Sequence, residues 1–179
     1  MATMILLPDD TGTVQAQWVP VGEATHHECL DDDNGIASYT KCSSDTRVMT
    51  IEYANPSVAE ADIASIDSVR FLSSGKANHR TDPSGVSISF AAPLPPITSG
   101  GLSENCSYDA HRTNFETING TARTTSNGIN PWTYSNLEDL EMLCTKSGAV
   151  EVYLSYLALE VTYTEAAVSD NAIFFGCNF

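Results

Sequence analysis

The amino-acid sequence predicts an all-β sandwich, and three observations lead to this prediction. Short segments rich in Val, Ile, Thr and Tyr recur along the 179 residues, and clusters of Gly, Pro, Asn and Ser separate them. The segment at residues 149–163 is long and apolar, and its β-branched and aromatic content favours a strand over a helix. Only residues 135–144 show a convincing helical pattern. Many short strands with frequent turns and one helix indicate two packed sheets.

The segment at residues 149–163 places apolar side chains on both sides of a strand. By strict alternation the two sets are Val150, Val152, Leu154 and Tyr156 on one side and Tyr153, Leu157, Leu159, Val161 and Tyr163 mainly on the other. A strand that is apolar on both sides needs cover on both sides. At about 3.3 Å per residue it would span roughly 45–50 Å, so we expect a bend or a change of covering partner midway. Tyr153, Leu157 and Leu159 are expected to contact the helix, the long loop or a neighbouring subunit.

The charge balance argues against two classes of partner. Only 8 Lys and Arg oppose 23 Asp and Glu, so the formal net charge is −15. Contacts with nucleic-acid phosphates or with an anionic membrane need clustered basic side chains, so neither partner is expected. No segment approaches the ~18 consecutive apolar residues of a transmembrane helix. The apolar run at residues 4–7 lacks the basic flank and cleavage pattern of a signal peptide, so we expect synthesis in a cytoplasm.

The folded domain is expected to span residues 14–164, between an N-terminal arm at residues 1–13 and a C-terminal arm at residues 165–179. Trp18 is the expected core anchor near the end of the first strand. Alternating or apolar segments between turn signals predict the strands before the helix. These strands are expected at residues 14–20, 36–40, 47–53, 63–74 and 86–90.

The short helix is expected at residues 135–144, because Ser135 and Glu138 form an S-x-x-E capping box at its start. Acidic residues crowd its first turns, Lys146 follows near its end, and Gly148 can close it. Its apolar stripe would pack on the sandwich.

No residue pattern indicates a catalytic site, so neither an enzyme nor a cofactor is expected. The sequence holds no G-x-S-x-G, and His79 and His111 lie in polar segments without a recognisable partner. His26 and His27 are adjacent, and neighbours on a strand point to opposite faces, so the two imidazoles cannot easily share one metal ion. The five cysteines lack a zinc-ligand spacing, and most are expected to be small buried hydrophobes.

An acidic run is the one weak candidate for a metal site. Its residues are Asp31, Asp32 and Asp33. Carboxylates could ligate Ca²⁺, which takes several oxygen ligands. The run lacks an EF-hand spacing, and Asn34-Gly35 supports a turn directly after it, so a solvated turn is the preferred interpretation.

The two ends of the chain supply the candidate subunit contacts. The candidates are Ile5, Leu6 and Leu7 at the N-terminal end and Ile173, Phe174, Phe175 and Phe179 at the C-terminal end. Terminal segments are disordered unless something holds them, and three Phe left in water would be an aggregation hazard. The C-terminal tail therefore either folds back on its own sandwich or inserts into a neighbouring subunit, and we favour insertion.

Several short motifs, taken in order, carry a family resemblance. They are Trp18 in an early strand, Asp31-Asp32-Asp33 before Ser38-Tyr39, Ile66-Asp67-Ser68-Val69, Pro131-Trp132-Thr133 with residues 137–141, and residues 156–163. Over roughly residues 14–163 the chain resembles the jelly-roll domains of structural proteins of tailed bacteriophages, including capsid cement (decoration) proteins and some tail or fibre modules. The resemblance implies a jelly-roll β-sandwich that binds the major capsid protein on the outside of the virion, as a homotrimer. No site residue carries over, because members attach in different ways.

The resemblance also leaves a second function open, a carbohydrate-binding module of a tail fibre or spike. Jelly rolls often bind sugars through exposed aromatic side chains. Tyr108, Trp132 and Tyr134 lie in or beside predicted loops and are the candidate glycan-binding residues. For Trp132 a position in the core, ahead of the helix, is the preferred alternative.

Overall fold

The computed structural model describes residues 1–32, 37–78, 84–90, 103–108, 114–126, 128–138, 140–148 and 150–167. These residues form eleven strands: β1 (Ala2–Leu6), β2 (Pro8–Val14), β3 (Trp18–Val21), β4 (Tyr39–Cys42), β5 (Val48–Tyr53), β6 (Ile63–Ala77), β7 (Ser84–Phe90), β8 (Ser103–Tyr108), β9 (Glu116–Asn119), β10 (Glu141–Ser147) and β11 (Val152–Glu165). Two 3₁₀ turns, Glu60–Asp62 and Tyr134–Asn136, are the only helical segments within the described ranges.

The strands form two antiparallel sheets. Sheet A has the order β3-β4-β11-β6-β9, with β1 also paired to β11, and sheet B has the order β2-β5-β10-β7-β8. From β4 onward the chain passes from one sheet to the other at each connection except β7 to β8. This wrapping gives β4-β11-β6-β9 facing β5-β10-β7-β8, which is the eight-strand jelly-roll arrangement. The predicted all-β jelly-roll sandwich is therefore confirmed, and β1, β2 and β3 extend it.

The core lies between the two sheets and is anchored by aromatic residues with a polar atom. Trp18 is buried, as predicted, and its Nε1 donates to the carbonyl of Arg47 at 3.2 Å. Cys29, Cys42 and Cys144 are fully buried, in agreement with the predicted role of most cysteines as small hydrophobes. The side chains of the other two cysteines lie outside the described part of the chain. Burial raises the pKa of the Cys29 and Cys42 thiols, so both stay protonated.

A β-bulge at Ser155 explains why β11 looks apolar on both sides. Leu154 pairs with Gly75 and Tyr156 with Ser74, so Ser155 is an extra residue in the strand. The bulge shifts the alternation by one position. The core-facing side chains are consequently Val152 and Leu154 before the bulge and Leu157, Leu159, Val161 and Tyr163 after it. The predicted assignment to opposite faces is wrong, and Leu157 and Leu159 belong to the core instead of an outer contact.

One edge of β11 changes its hydrogen-bonding partner along its length. Residues 152–154 pair with β4, and residues 159–163 pair with β1. Between these two stretches the amide of Leu157 donates to the carbonyl of Leu30 at 3.0 Å. The long strand is therefore covered by three successive partners on this edge and by β6 on the other.

The predicted helix at residues 135–144 is wrong. Residues 134–136 form a single 3₁₀ turn, and residues 141–147 form β10. Met142, Cys144 and Lys146 are buried in alternation because β10 lies between β5 and β7, so pairing on both edges outweighs the local helix preference. The capping box does exist, but it joins Thr133 and Asn136 around the 3₁₀ turn.

The expected N-terminal arm at residues 1–13 is also different in the structure. β1 belongs to sheet A and β2 to sheet B, so the first residues complete both sheets. Met4 and Leu6 alternate with exposed residues and are buried against the core, which holds the segment in place. The predicted first strand at residues 14–20 is divided, because β2 ends at Val14 and the amide of Trp18 closes a turn on the carbonyl of Gln15 at 2.9 Å.

Candidate functional site

The three N-terminal contact candidates point in two directions. Leu6 is only 1% exposed and packs in the core, so it is not available to a partner. Ile5 is 42% exposed and Leu7 is 38% exposed. Among the described residues β1 pairs on one edge only, with β11, so Ile5 lies in a border strand of sheet A, and Leu7 directly follows this strand. The C-terminal candidates, Ile173, Phe174, Phe175 and Phe179, lie outside the described residues.

The three glycan-binding candidates are separated by the fold. Trp132 and Tyr134 line one cavity of about 250 Å³, together with Glu60 and Ser65. Trp132 is 4% exposed, and its Nε1 donates to the carbonyl of Arg123 at 2.9 Å, so it is chiefly a core anchor. The hydroxyl of Tyr134 donates to the carbonyl of Val58 at 3.1 Å.

Tyr108 is fully buried and belongs to the core instead of a glycan surface. Its hydroxyl donates to Oγ of Ser73 at 3.2 Å, across the sandwich from β8 to β6. Its ring lies against Gly75, where an added Cβ would come 2.5 Å from Cζ of Tyr108. The prediction of Tyr108 as a surface aromatic is wrong, because Tyr108 is the last residue of β8 and its side chain is buried in the core.

The acidic run and the histidine pair do not form a described metal site. Asp31 is partly buried, and burial, with a contribution from the charge of Asp32, raises its pKa. His26 donates from Nε2 to the carbonyl of Trp18 at 3.2 Å, while Nδ1 of His27 contacts the hydroxyl of Thr11 at 3.0 Å. The two imidazoles thus have separate partners. Within the ranges that the structure describes, no three His, Cys, Asp or Glu side chains are grouped for a metal ion, and Asp33 lies outside those ranges.

A row of side chains crosses the outer face of sheet A at one end. Val19 pairs with Lys41, Lys41 with Tyr153, and Tyr153 with Lys76, across β3, β4, β11 and β6. Directly paired residues carry their side chains on the same face of a sheet. The residues next to them on each strand, such as Val152 and Leu154, are buried, so the row faces outward. We call Lys41, Tyr153 and Lys76 the lysine–tyrosine row.

Two further aromatic rings surround this row. The ring of Tyr39 meets that of Tyr153 edge-on, with centroids 5.3 Å apart, and it lies 6.1 Å from the ring of Phe115. Nζ of Lys76 lies 4.9 Å from the centroid of Phe115 and 5.1 Å from that of Tyr153. Distances of this size give cation–π attraction. The rings and the lysine stem therefore form one partly exposed aromatic cluster.

Polar groups border the cluster on one side. Nδ2 of Asn78 donates to the hydroxyl of Tyr153 at 3.0 Å, and that hydroxyl donates to Oε2 of Glu151. Nζ of Lys41 lies 3.9 Å from Oε1 of Glu151. Burial and the hydrogen bond to Glu151 raise the pKa of Tyr153 to about 12, so the phenol stays neutral and keeps its proton for Glu151.

The sequence alone points only partly to this cluster. The sequence places Tyr153 in the long apolar strand. Lys41 and Lys76 are notable in the sequence because the chain has only 8 Lys and Arg. Strand register brings them together, and Phe115 reaches them because it lies one position before the pairing of Glu116 with Gly75. Residues 39, 76, 115 and 153 are far apart in the chain, so only the strand order of sheet A could have predicted their proximity.

The described part of the chain contains no helix that is long and apolar enough to cross a membrane. Comparison of the sequence with protein-family models finds no match. Comparison with curated proteins finds no match either.

Proposed function

We propose that this protein is a structural protein of a bacteriophage virion, a cement or decoration protein that binds the outer capsid surface and stabilises the shell. The jelly-roll order of its strands supports a rigid, wrapped body, in which the long strand β11 is paired on both edges. In this proposal it acts by adhesion, and neither a reaction nor a cofactor is needed. It is made in the host cytoplasm and works on the capsid exterior.

The observation that carries the proposal is the apolar border at β1. Ile5 in β1 is 42% exposed, and Met1 and Leu7, directly before and after this strand, are 94% and 38% exposed; β1 has a single partner among the described residues. Open strand edges with apolar side chains invite pairing with another chain, and proteins normally protect them. The major capsid protein, and neighbouring copies in a homotrimer, are the partners that would cover this border.

The net charge of −15 indicates which charge the partner surface should carry. An acidic body is attracted to a basic patch and is repelled by exposed nucleic acid. The capsid surface around each attachment point is therefore expected to be basic. Raising the salt concentration should lower the rate of attachment, because salt screens the charges that attract the two surfaces. It should have a smaller effect on the apolar contact, which does not depend on charge.

Copy number is the direct test of the proposal. Quantitative mass spectrometry of purified particles should find the protein in hundreds of copies per virion if it is a cement protein. A few copies, or a few dozen, would overturn the cement role and leave a tail or fibre role.

The apolar border is tested by the double variant Ile5→Asp with Leu7→Asp. We expect it to remain folded, because both side chains are partly exposed, and to lose at least tenfold in occupancy on undecorated capsids. Ile129→Asp is the matched control, since Ile129 is 82% exposed and lies beyond β6, on the side of sheet A away from β1. Equal occupancy of the double variant and the control would exclude β1 as the attachment border.

A carbohydrate-binding module of a tail fibre or spike is the second candidate, and one observation favours it. Trp132 and Tyr134 share a cavity with Glu60 and Ser65, which combines aromatic rings with groups that bind hydroxyls. Specific binding on a glycan screen that is lost in Tyr134→Ala and kept in Tyr108→Phe would favour this function. A screen without any binding, together with a high copy number, would favour cement.

A further inference from the structure

The lysine–tyrosine row places two lysines on one face of a strongly acidic protein, with the carboxylate of Glu151 beside Lys41. Lys41 and Lys76 flank Tyr153 on the two neighbouring strands. Nζ of Lys76 lies 5.1 Å from the centroid of the Tyr153 ring, and Nζ of Lys41 lies 3.9 Å from Oε1 of Glu151. These lysines are two of only 8 Lys and Arg in a chain with 23 Asp and Glu. The side chain of Lys41 is 37% exposed. Two lysines close together favour binding of a small anion. The solubility of the protein does not require them, because its net charge is already strongly negative.

The aromatic rings give the same place an apolar surface. Tyr39, Phe115 and Tyr153 are partly exposed, and Tyr39 stands edge-on to Tyr153 at 5.3 Å. A sugar ring offers a flat face of C–H groups that packs against such rings, while its hydroxyls project sideways. Val19, at the end of the row, is 42% exposed and extends the apolar strip by one strand.

Hydrogen-bonding groups lie beside the rings at a fixed geometry. Asn78 is exposed and is held by its bond to the Tyr153 hydroxyl at 3.0 Å. Oε2 of Glu151 accepts from Asn78 at 3.4 Å and also from Tyr153. An amide, a carboxylate and a phenol are the groups that recognise sugar hydroxyls, and here they are already oriented by one another.

We propose that this cluster binds an acidic saccharide, a sugar ring that bears a carboxylate. The C–H face packs on Tyr39 and Tyr153, the carboxylate binds Lys41 and Lys76, and the ring hydroxyls bind Asn78 and Glu151. A saccharide is favoured over a nucleic acid because the net charge of −15 repels a long polyanion. Screening beyond about 8 Å at physiological ionic strength lets the two local lysines dominate for a small ligand. The site is independent of a cement role and is compatible with either candidate function.

Titration with defined oligosaccharides tests the site. The probe is tetragalacturonate, the neutral control is galactotetraose, and the peptide control is tetraglutamate, each followed by calorimetry and by NMR shifts of the full chain. We expect tetragalacturonate to bind at least tenfold more tightly than either control, with an affinity that falls as salt rises. Absence of tetragalacturonate binding would overturn the proposal, and so would equal binding of tetraglutamate, because charge alone would then explain it.

Matched variants separate the site from the overall charge. Lys41→Met keeps the aliphatic stem and removes one positive charge, and Tyr39→Ala removes a ring at the border of the cluster. Each should weaken tetragalacturonate binding at least tenfold. Arg70→Met removes the same charge further along the outer face, where Arg70 pairs with Glu160 at 2.8 Å, and it should leave binding unchanged. An equal loss in Arg70→Met and Lys41→Met would contradict a local site.

Discussion

The hydroxyl of Tyr53 donates a hydrogen bond of 3.0 Å to the carbonyl of Leu157 and thereby joins the two sheets through the core. Tyr53 ends β5 in sheet B, and Leu157 lies two residues after the bulge in β11 of sheet A. The amide of Leu157 is bound to Leu30 on the strand edge. Both backbone groups of Leu157 are therefore satisfied, although β4 has already ended and β1 has not yet begun.

Tyr53→Phe should lower the free energy of unfolding by about 1–3 kcal/mol, because it leaves the carbonyl of Leu157 buried without this donor. Chemical denaturation at neutral pH measures the change. Tyr134→Phe removes a comparable bond, to the carbonyl of Val58, at a partly buried site, and should cost less. Equal losses of unfolding free energy in both variants would show that the bond across the core stabilises the fold no more than the partly buried bond of Tyr134. Full burial holds the pKa of Tyr53 well above its ordinary value, so the bond persists through neutral pH.

Gly75→Ala should destabilise the sandwich by about 1–3 kcal/mol or more, the usual range for overpacking a core. An added Cβ would come within 2.5 Å of Tyr108 and 2.7 Å of the carbonyl of Tyr153, which is backbone and cannot move aside. Thermal unfolding measures the effect. Gly12→Ala is the matched control, because its Cβ would meet its nearest neighbours at 3.3 Å and Gly12 lies at an edge strand. Similar melting temperatures for the two variants would contradict the close packing of Tyr108 on Gly75.

Lys146→Met should change the free energy of unfolding by less than about 1 kcal/mol, whereas Lys146→Ala should lower it by about 2 kcal/mol or more. Lys146 is 1% exposed, and its Nζ donates to the carbonyl of Gly148 at 2.6 Å. Methionine keeps the buried volume and removes the cost of burying an ammonium, which offsets the lost hydrogen bond. Alanine leaves a cavity. Equal losses in both variants would indicate that the hydrogen bond, and not the volume, is the main contribution.

The stability should depend on pH with opposite signs at Asp31 and Glu28. Burial raises the pKa of Asp31 in the folded state, so its contribution is favourable below its ordinary value of 3.8 and is lost as pH rises through the raised value. Asp31→Asn should therefore raise the melting temperature at pH 7 and have little effect at pH 3. Hydrogen bonds from Thr25 lower the pKa of Glu28, so its contribution is present above its ordinary value of 4.5 and is lost as pH falls.

Glu28→Gln serves as the control for the pH experiment. It should lower the melting temperature at pH 7 and lose this effect in acid, the reverse of Asp31→Asn. Melting curves of the three proteins between pH 3 and pH 7 give both differences. Parallel curves for the two variants would show that general charge, and not the local surroundings of each carboxyl, sets the pH dependence.

The fold class could be predicted because strand patterns and turn signals occur along most of the sequence. The jelly-roll order of the strands was expected only from the family resemblance. The errors have two physical causes. The first is tertiary pairing: residues 141–147 have helix-favouring Glu, Met and Leu, yet two neighbouring strands fix β10. The second is the bulge at Ser155, because an inserted residue shifts the alternation of buried and exposed side chains and no residue type in the sequence indicates it.

The candidate site was less predictable than the fold. Trp132 could be assigned to the core from its place ahead of the expected helix, but the buried position of Tyr108 depends on Gly75 on another strand. The lysine–tyrosine row depends on three strands, β4, β11 and β6, being adjacent in sheet A. Sequence patterns describe one element at a time, and a row that crosses several strands becomes visible only when their order and register are known.

The pairing of β1 with β11 has a consequence for the order of assembly during synthesis. Ala2 pairs with Tyr163 and Leu6 with Leu159, so β1 has as its partner a strand that the ribosome makes much later. β1 cannot pair in this way until residues 159–163 have been made. Contacts with such large sequence separation slow folding and lengthen the exposure of unpaired edges. Closure of the pair of β1 with β11 is therefore expected late in folding, and until then β1 is an unpaired apolar edge that can adhere to other chains.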